Sequence, residues 1–368
     1  MPEKSNRPAA GTEMTAHTTD EKKALIHAVE TRFDTLLTWQ YGQGERMPLD
    51  ALYRKAKLAQ WDSDLDLDWK VGGQIDRARN PRDALNALSL SNEGVFAHLG
   101  VKEREDFGHA SVAWSISQFL HAEQGAMACA AKLVQTVPWV DAKYFAATQV
   151  MDEARHMEVL ARYLREKIEW QFPVNDHLKS LLEMIVNTSS WDLTYLGMQV
   201  VIEGLALAAF GFQYTLTTDP LLKQITRYLI ADEARHVAFG VLSLREVYDG
   251  MSAAELRVRQ EFCYECAIRM RDRFLAKEVW EALGLPVRQC LEVMRRDLAQ
   301  VEYRRSLFSK VVPNVKRLGL LDAGDGWLRR RFAELDVLKF ESLDDTGAEY
   351  DRMNLDNAPW SVVQYKHY

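Results

Sequence analysis

The chain has 368 residues, 47% of them hydrophobic and 10% aromatic, which excludes a mostly disordered polypeptide. Its net charge of −7 argues against nucleic acid as a bulk partner, since that binding needs a basic surface facing the phosphates. Four cysteines and 19 glycines are too few for a disulfide scaffold or a collagen-like repeat.

No apolar segment follows the first residues, so no signal peptide is expected and the cytoplasm is the default compartment. Residues 1–20 read as a disordered arm, and 21–100 as N-terminal helices and a wrap. A first helix is predicted from Glu21 to Gln40 and a short one over Pro48–Ala59, followed by an irregular Asp- and Trp-rich segment, Trp61–Asn92. Four long helices are predicted within 101–250. One ends near Val137, before Pro138, and the second runs from Val140 to Trp170. After a shorter helix near His177–Val186, the third spans Trp191–Tyr214. The fourth opens at Asp219-Pro220, a capping residue followed by proline at the first helical position, and ends at Gly250. Within 251–343, helices are predicted over Ser252–Leu283 and Pro286–Lys310, and 344–368 reads as an irregular tail. No alternating strand-like run is present, so the expected fold is all-α and a single compact domain overall. The apolar stretch Tyr195–Phe212 approaches the ~20 residues that span a bilayer. It carries Gln199 and Glu203, and an unpaired carboxylate is costly in lipid, so a buried helix is expected and no membrane partner.

The chemistry lies in a repeat. Asp-Glu-Ala-Arg-His occurs at 152–156 and again at 232–236. Glu123 stands 30 residues before Glu153, and Glu203 stands 30 before Glu233, so six residues obey one 80-residue translation. Glu and His at i and i+3 share a helix face. Glu123 is in register with Val112, Ile116, Phe119, Met127 and Ala130, and Glu203 sits in an apolar run from Val200 to Leu207. Four carboxylates meeting on buried faces would repel each other, and cations resolve that conflict. Glu123, Glu153, His156, Glu203, Glu233 and His236 form an oxygen- and nitrogen-rich set suited to iron or manganese.

Asp152 and Asp232 each precede a histidine by four residues, which suits a carboxylate receiving the second ring N–H of a ligating imidazole. Arg155 and Arg235 would balance their charge. Phe119 and Tyr195, with Trp114, Trp191, Phe210 and Phe212, read chiefly as bundle core, Phe119 and Tyr195 being also candidates for a substrate pocket. Gly125 and Gly204 follow the two upstream glutamates closely and read equally as close helix packing or as room for substrate or oxygen. Cys263 and Cys266 form a C-x-x-C with no second pair, so buried thiols are expected. His109 and His121 read as core or surface histidines.

One Glu from each of two helices plus Glu-x-x-His from each of two others resembles the ligand pattern of the ferritin-like di-iron carboxylate proteins. The resemblance implies a ferritin-like four-helix bundle with additional N- and C-terminal helices. It implies two iron ions, or Mn/Fe, used with O2, with no catalytic group separate from the metal ligands. Glu123, Glu153 and His156 would serve mainly one metal, and Glu203, Glu233 and His236 the other, with some carboxylates bridging. The implied activity is an O2-activating oxygenase or oxidase acting on a small organic substrate. With no flavin, haem or iron–sulfur motif in the chain, a separate reductase would supply electrons. A homodimer is a further expectation, because the extra helices need something to cover.

Two alternatives share the ligand set: a ferroxidase or iron-storage subunit, and a radical-generating small subunit of the ribonucleotide-reductase type. Roughly 200 residues outside the bundle argue against storage. In the resembling reductase subunits a tyrosine lies four residues after the first-repeat histidine and the first ligand is Asp. Here those positions hold Leu160 and Glu123, and Tyr163 lies seven after His156. Within the oxygenases, Gln60-Trp61-Asp62 and Asp66-Leu67-Asp68-Trp69 loosely resemble the arylamine N-oxygenase group. That group adds a third histidine seven residues before the last, where this chain has Leu229. A six-ligand set points instead to multicomponent hydroxylases or to reductase-like ligand-binding oxidases.

Overall fold

The computed structural model describes residues 35–37, 41, 46–72 and 94–346. All of these belong to one compact unit, 33–368. The arm at 1–20, most of the helix predicted over Glu21–Gln40, the wrap beyond residue 72 and the tail from 347 lie outside the described residues.

Among the described residues there are helices and no strands. The elements that position the site are α1 (Met47–Leu58), α2 (Val101–Thr136), α3 (Val140–Tyr163), α4 (Asp176–Val186), α5 (Trp191–Leu216), α6 (Pro220–Asp249) and α7 (Ala253–Asp272). Helices α2 and α3 pack along each other, as do α5 and α6, and the two pairs meet through α3 and α6. Helix α1 lies against α3 and α6. Small residues on α2, among them Ala113, Ala122, Gly125, Ala126 and Ala130, are buried and let its neighbours approach closely. Helix α6 starts where its sequence signal lies: Asp219 Oδ1 accepts from the amides of Leu221 and Leu222 at 2.8 and 2.9 Å.

Helix α5 is apolar and long enough to cross a membrane, yet 94% of its most apolar window is buried inside the protein. Its apolar character comes from having neighbours all round rather than lipid. Directly before Glu203 it widens into a π-helical segment, Leu196–Ile202.

Three predicted helices differ from their expected lengths. Helix α3 gives way after Tyr163 to a π turn, Leu164–Ile168, closed by Glu169 in the left-handed region at φ 59°. The segment Ser252–Leu283 breaks after Asp272 into a 3₁₀ turn, Arg273–Leu275, and Ala276 at φ 49° starts α8 (Lys277–Ala282). Pro286–Lys310 breaks between α9 (Val287–Arg296) and α10 (Leu298–Ser306), because Asp297 turns extended and caps α10 by accepting from Gln300 N at 2.9 Å. An aspartate that can bond nearby backbone competes with helix continuation, a signal outweighed in the periodic reading. A 3₁₀ turn, Leu307–Lys310, then packs on α5, followed by α11 (Val312–Arg317) and α12 (Trp327–Glu334).

Candidate metal centre

Helix periodicity carries the six repeated residues to one place. Glu153 and His156 lie one turn apart on α3, as do Glu233 and His236 on α6. Glu123 comes from α2 and Glu203 from α5. None is more than 5% exposed. Their ligand atoms form two groups: Glu123, Glu153, His156 and Glu233 in one, and Glu153, Glu203 and His236 in the other, the atoms of each within 4.8 Å of one another.

Glu153 belongs to both groups. Its Oε2 faces His156 Nδ1 at 3.1 Å and its Oε1 faces His236 Nδ1 at 3.1 Å. Glu233 also spans them, with Oε1 3.3 Å from His156 Nδ1 and Oε2 3.6 Å from His236 Nδ1. The two Glu-x-x-His carboxylates are thus central and Glu123 and Glu203 terminal, an arrangement in keeping with the expectation that some carboxylates are shared between the two groups.

The far side of each imidazole faces the other repeat. His156 Nε2–H donates to Asp232 Oδ2 at 3.0 Å, and His236 Nε2–H donates to Asp152 Oδ2 at 3.3 Å. These bonds fix the tautomer and leave each Nδ1 pointing inward. Arg155 bonds Asp152 Oδ1 at 2.5 Å and reaches Asp232 at 3.3 Å, and Arg235 pairs with Asp232 and lies 3.8 Å from Asp152. Two residues of the N-terminal segment complete this layer. Trp61 Nε1 donates to Asp232 Oδ2 at 2.8 Å, and Gln60 Nε2 donates to Asp152 Oδ1 at 2.9 Å. The Trp61 ring also lies under the Arg155 guanidinium and stacks on Tyr228.

The electrostatics of the cluster suit cations. Burial, then the nearby Glu233, pushes Glu123 well above the usual carboxylate range, and burial does the same to Glu203. Burial would lower both histidines, but Asp232 and the glutamates around His156, and Glu153 beside His236, drive them well above their ordinary value. For Glu153 burial acts upward, yet His236 and His156 overcome it and hold the carboxyl low. The groups that are pushed up are ones that a nearby cation would hold deprotonated. Both oxygens of Glu233, Oε2 of Glu203 and Nδ1 of His236 are buried without a hydrogen bond. Six buried carboxylates against two buried guanidiniums leave four negative charges, the charge that two divalent cations carry. The donor set, the orphaned inward atoms and the charge balance all fit a pair of divalent metal ions.

The pocket candidates fare differently. A Cβ on Gly125 would collide with Leu182 of α4, and one on Gly204 would sit 3.3 Å from Val311 and 3.4 Å from the Lys310 carbonyl. Of the two readings left open for these glycines, the contacts favour close packing. Phe119 packs on Phe210 with ring centroids 4.4 Å apart. Tyr195 packs on Phe239 and Trp191, with its hydroxyl 3.4 Å from Ser243 Oγ, and so belongs to the core. Cys263 and Cys266 are buried thiols, Cys263 pushed up to about 12 by burial. His109 and His121 bond the carbonyls of Ile168 and Phe172 and tie α2 to the segment after α3.

Sequence reasoning missed four polar residues here. Gln60 and Trp61 stand in the segment that resembles the arylamine N-oxygenase group, but no helical spacing links them to the repeat. Gln149 and Gln199 are fully buried beside Glu203, and Gln149 lies one turn before Glu153, where the repeat itself could have flagged it.

The family model described as p-aminobenzoate N-oxygenase AurF matches residues 43–319, about three quarters of the chain. The chain belongs to the AurF family. It is therefore an oxidoreductase, an O2-activating di-metal enzyme acting on a small organic substrate. The match runs through Leu229, so the missing third histidine does not remove the chain from this family. No curated protein sequence matches the chain. Solved structures of R2-like ligand-binding oxidases are similar. A glycine-to-phenylalanine mutant with anaerobically reconstituted Mn/Fe cofactor has a TM-score of 0.47 and 19% identity, over 76% of this chain and 96% of that one. A tyrosine-to-phenylalanine mutant with aerobically reconstituted cofactor gives 0.46 and 16% over 76% and 93%, and a long-soak form gives 0.43 and 17% over 84% and 99%.

Proposed function

We propose that Glu123, Glu153, His156, Glu203, Glu233 and His236 hold two iron ions and that the enzyme is a mono-oxygenase for an aromatic amine bearing an acid group. The observation that carries the reading is the pair of buried ligand groups sharing Glu153. Bound there, the metal pair supplies the electrons and the Lewis acidity for O2 reduction. The chain's own residues do the rest. Asp152 and Asp232 hold the imidazoles in one tautomer, and Trp61 covers the Asp232 side against water. Phe119 and Phe210 offer an apolar wall on the Glu123 side.

The substrate class rests on the family and on Arg273. The family model names an aminobenzoate, which carries both an aromatic amine and a carboxylate. Arg273 is 1% exposed, and its Nε and Nη1 have no hydrogen-bond partner among the described residues. Burial draws its pKa down to about 10, against the pull of Tyr303 and Glu123. A buried guanidinium with open donors suits a substrate carboxylate. A separate reductase supplies electrons, the chain works as a homodimer, and the cytoplasm keeps its four buried thiols reduced.

The test is anaerobic ferrous loading, air exposure and desalting, then turnover of an aminobenzoate with labelled O2 and a chemical reductant. About two irons per chain and label on nitrogen are expected. Uptake far beyond two would point to storage. A stable tyrosyl radical signal without substrate oxidation would point to the radical-generating role, and no retained metal would overturn the site. Arg273→Gln should raise KM for the acidic substrate with little change in kcat.

A further inference from the structure

The six ligands obey the 80-residue translation, but the residues around them do not. Gln149 maps onto Leu229, Gln199 onto Phe119, and Gly240 onto Leu160. The three polar or small members meet on one side of the centre. Gln149 Nε2 donates to Glu203 Oε1 at 2.8 Å and to Glu153 Oε1 at 3.0 Å. Gln199 Nε2 approaches Gln149 Oε1 at 3.4 Å, so the Gln149 amide is held with its N–H groups toward the carboxylates. Gln199 is delivered by the π-helical segment of α5, and the missing side chain of Gly240 makes room for it. A Cβ on Gly240 would sit 2.7 Å from the Gln199 Cβ. Glu203 is thereby held by one oxygen, while its Oε2 is left without a hydrogen bond and lies 3.9 Å from His236 Nδ1.

Glu123 has no such support. Among the described residues no amide bonds it, and its nearest ionic partner is His156 Nδ1 at 3.6 Å. The residues at the mirrored positions are apolar, Phe119 packing on Phe210 and Leu229 buried, while the buried Arg273 interacts with Glu123 electrostatically. A ligand already oriented loses less freedom on binding a cation than one that must be ordered by it.

We propose that Gln149 and Gln199 form an amide clamp that pre-orients Glu203, so that the position built by Glu153, Glu203 and His236 takes its metal ion first and more tightly than the position containing Glu123. Glu123 is then the carboxylate free to shift at the later-filled position, on the side that carries the Phe119–Phe210 wall. This rests on the metal reading of the six ligands given above.

The experiment is an anaerobic calorimetric titration of the metal-free full chain with Mn(II). Two steps separated by about tenfold or more are expected. Glu203→Gln should remove the tight step and Glu123→Gln the weak one. Gln149→Leu, which installs the residue of the mirrored position, should weaken the tight step about 10–100-fold and bring the two together. Leu229→Gln is the converse variant and should tighten the weak step, so the proposal does not depend on one core substitution folding. Two equal steps in the wild type, or an unchanged ratio in a folded Gln149→Leu protein, would overturn the clamp while leaving the metal site standing. A wild-type chain that binds no Mn(II) and no Fe(II) would overturn the metal reading itself, and the clamp with it.

Discussion

The two halves of the bundle contain the same candidate ligands in the same spacing, and yet they are not copies. On the α2–α3 side of the repeat, Glu123 lies one turn after Phe119, which packs on Phe210. On the α5–α6 side, Glu203 follows a π-helical segment, and two buried carboxamides stand beside it. The shared part is what the metal pair requires, since a carboxylate and an imidazole must reach each position. The unshared part is where one half differs from the other in polarity and rigidity. A repeat thus keeps the chemistry along the chain while the packing around it sets the two positions apart.

The strongest way to break this comparison is through the shared ligands. Glu153 stands in both groups, so Glu153→Ala should lose both metals and all O2-dependent turnover. Glu203→Ala or His236→Ala should lose one iron and also abolish turnover, and normal activity in any of the three would end the assignment. Metal analysis after ferrous loading separates the cases.

The next effect is on the crossed aspartates. Asp232→Asn and Asp152→Asn should each weaken metal binding about 10–100-fold, as the imidazoles lose the group that orients them. Asp232 should be the more sensitive, because its bond to His156, 3.0 Å, is shorter than the 3.3 Å bond between Asp152 and His236. Equal and negligible losses in competition titrations with a chelator would show that the aspartates are only structural.

A third effect is pH-dependent, and its sign follows from the raised groups. His156, His236, Glu123 and Glu203 keep protons to higher pH than they would in water, so a metal ion must displace them. Apparent affinity should rise with pH from mildly acidic through neutral conditions, with proton release on binding that calorimetry in buffers of different ionisation enthalpy measures. A pH-independent affinity would contradict the cluster as described.

The smallest effect separates packing from function. Gly125→Ala should cost about 1–3 kcal/mol, because its methyl group meets Leu182. A lower Tm with unchanged metal content and unchanged KM is expected. A large KM change at constant Tm would restore the reading of Gly125 as a substrate-side residue.

By itself, the sequence determined the helical class, the starts of the central helices, and which six residues the fold brings together with the two aspartates behind them. These were legible because a 3.6-residue period turns spacing into a shared face, and because chance rarely repeats a pentapeptide together with a glutamate at the same distance upstream. Tertiary structure alone decided the rest. Sharing of Glu153 depends on how α3 and α6 face each other, a distance no spacing encodes. Trp61 meets Asp232 across 171 positions of chain, and Gln149 meets Glu203 across 54. The break at Asp297 and the crowding of Gly125 likewise follow from competition and contact between segments. Periodicity fixes which way a side chain points along its own helix, whereas what it meets there is set by the neighbour that packs against it.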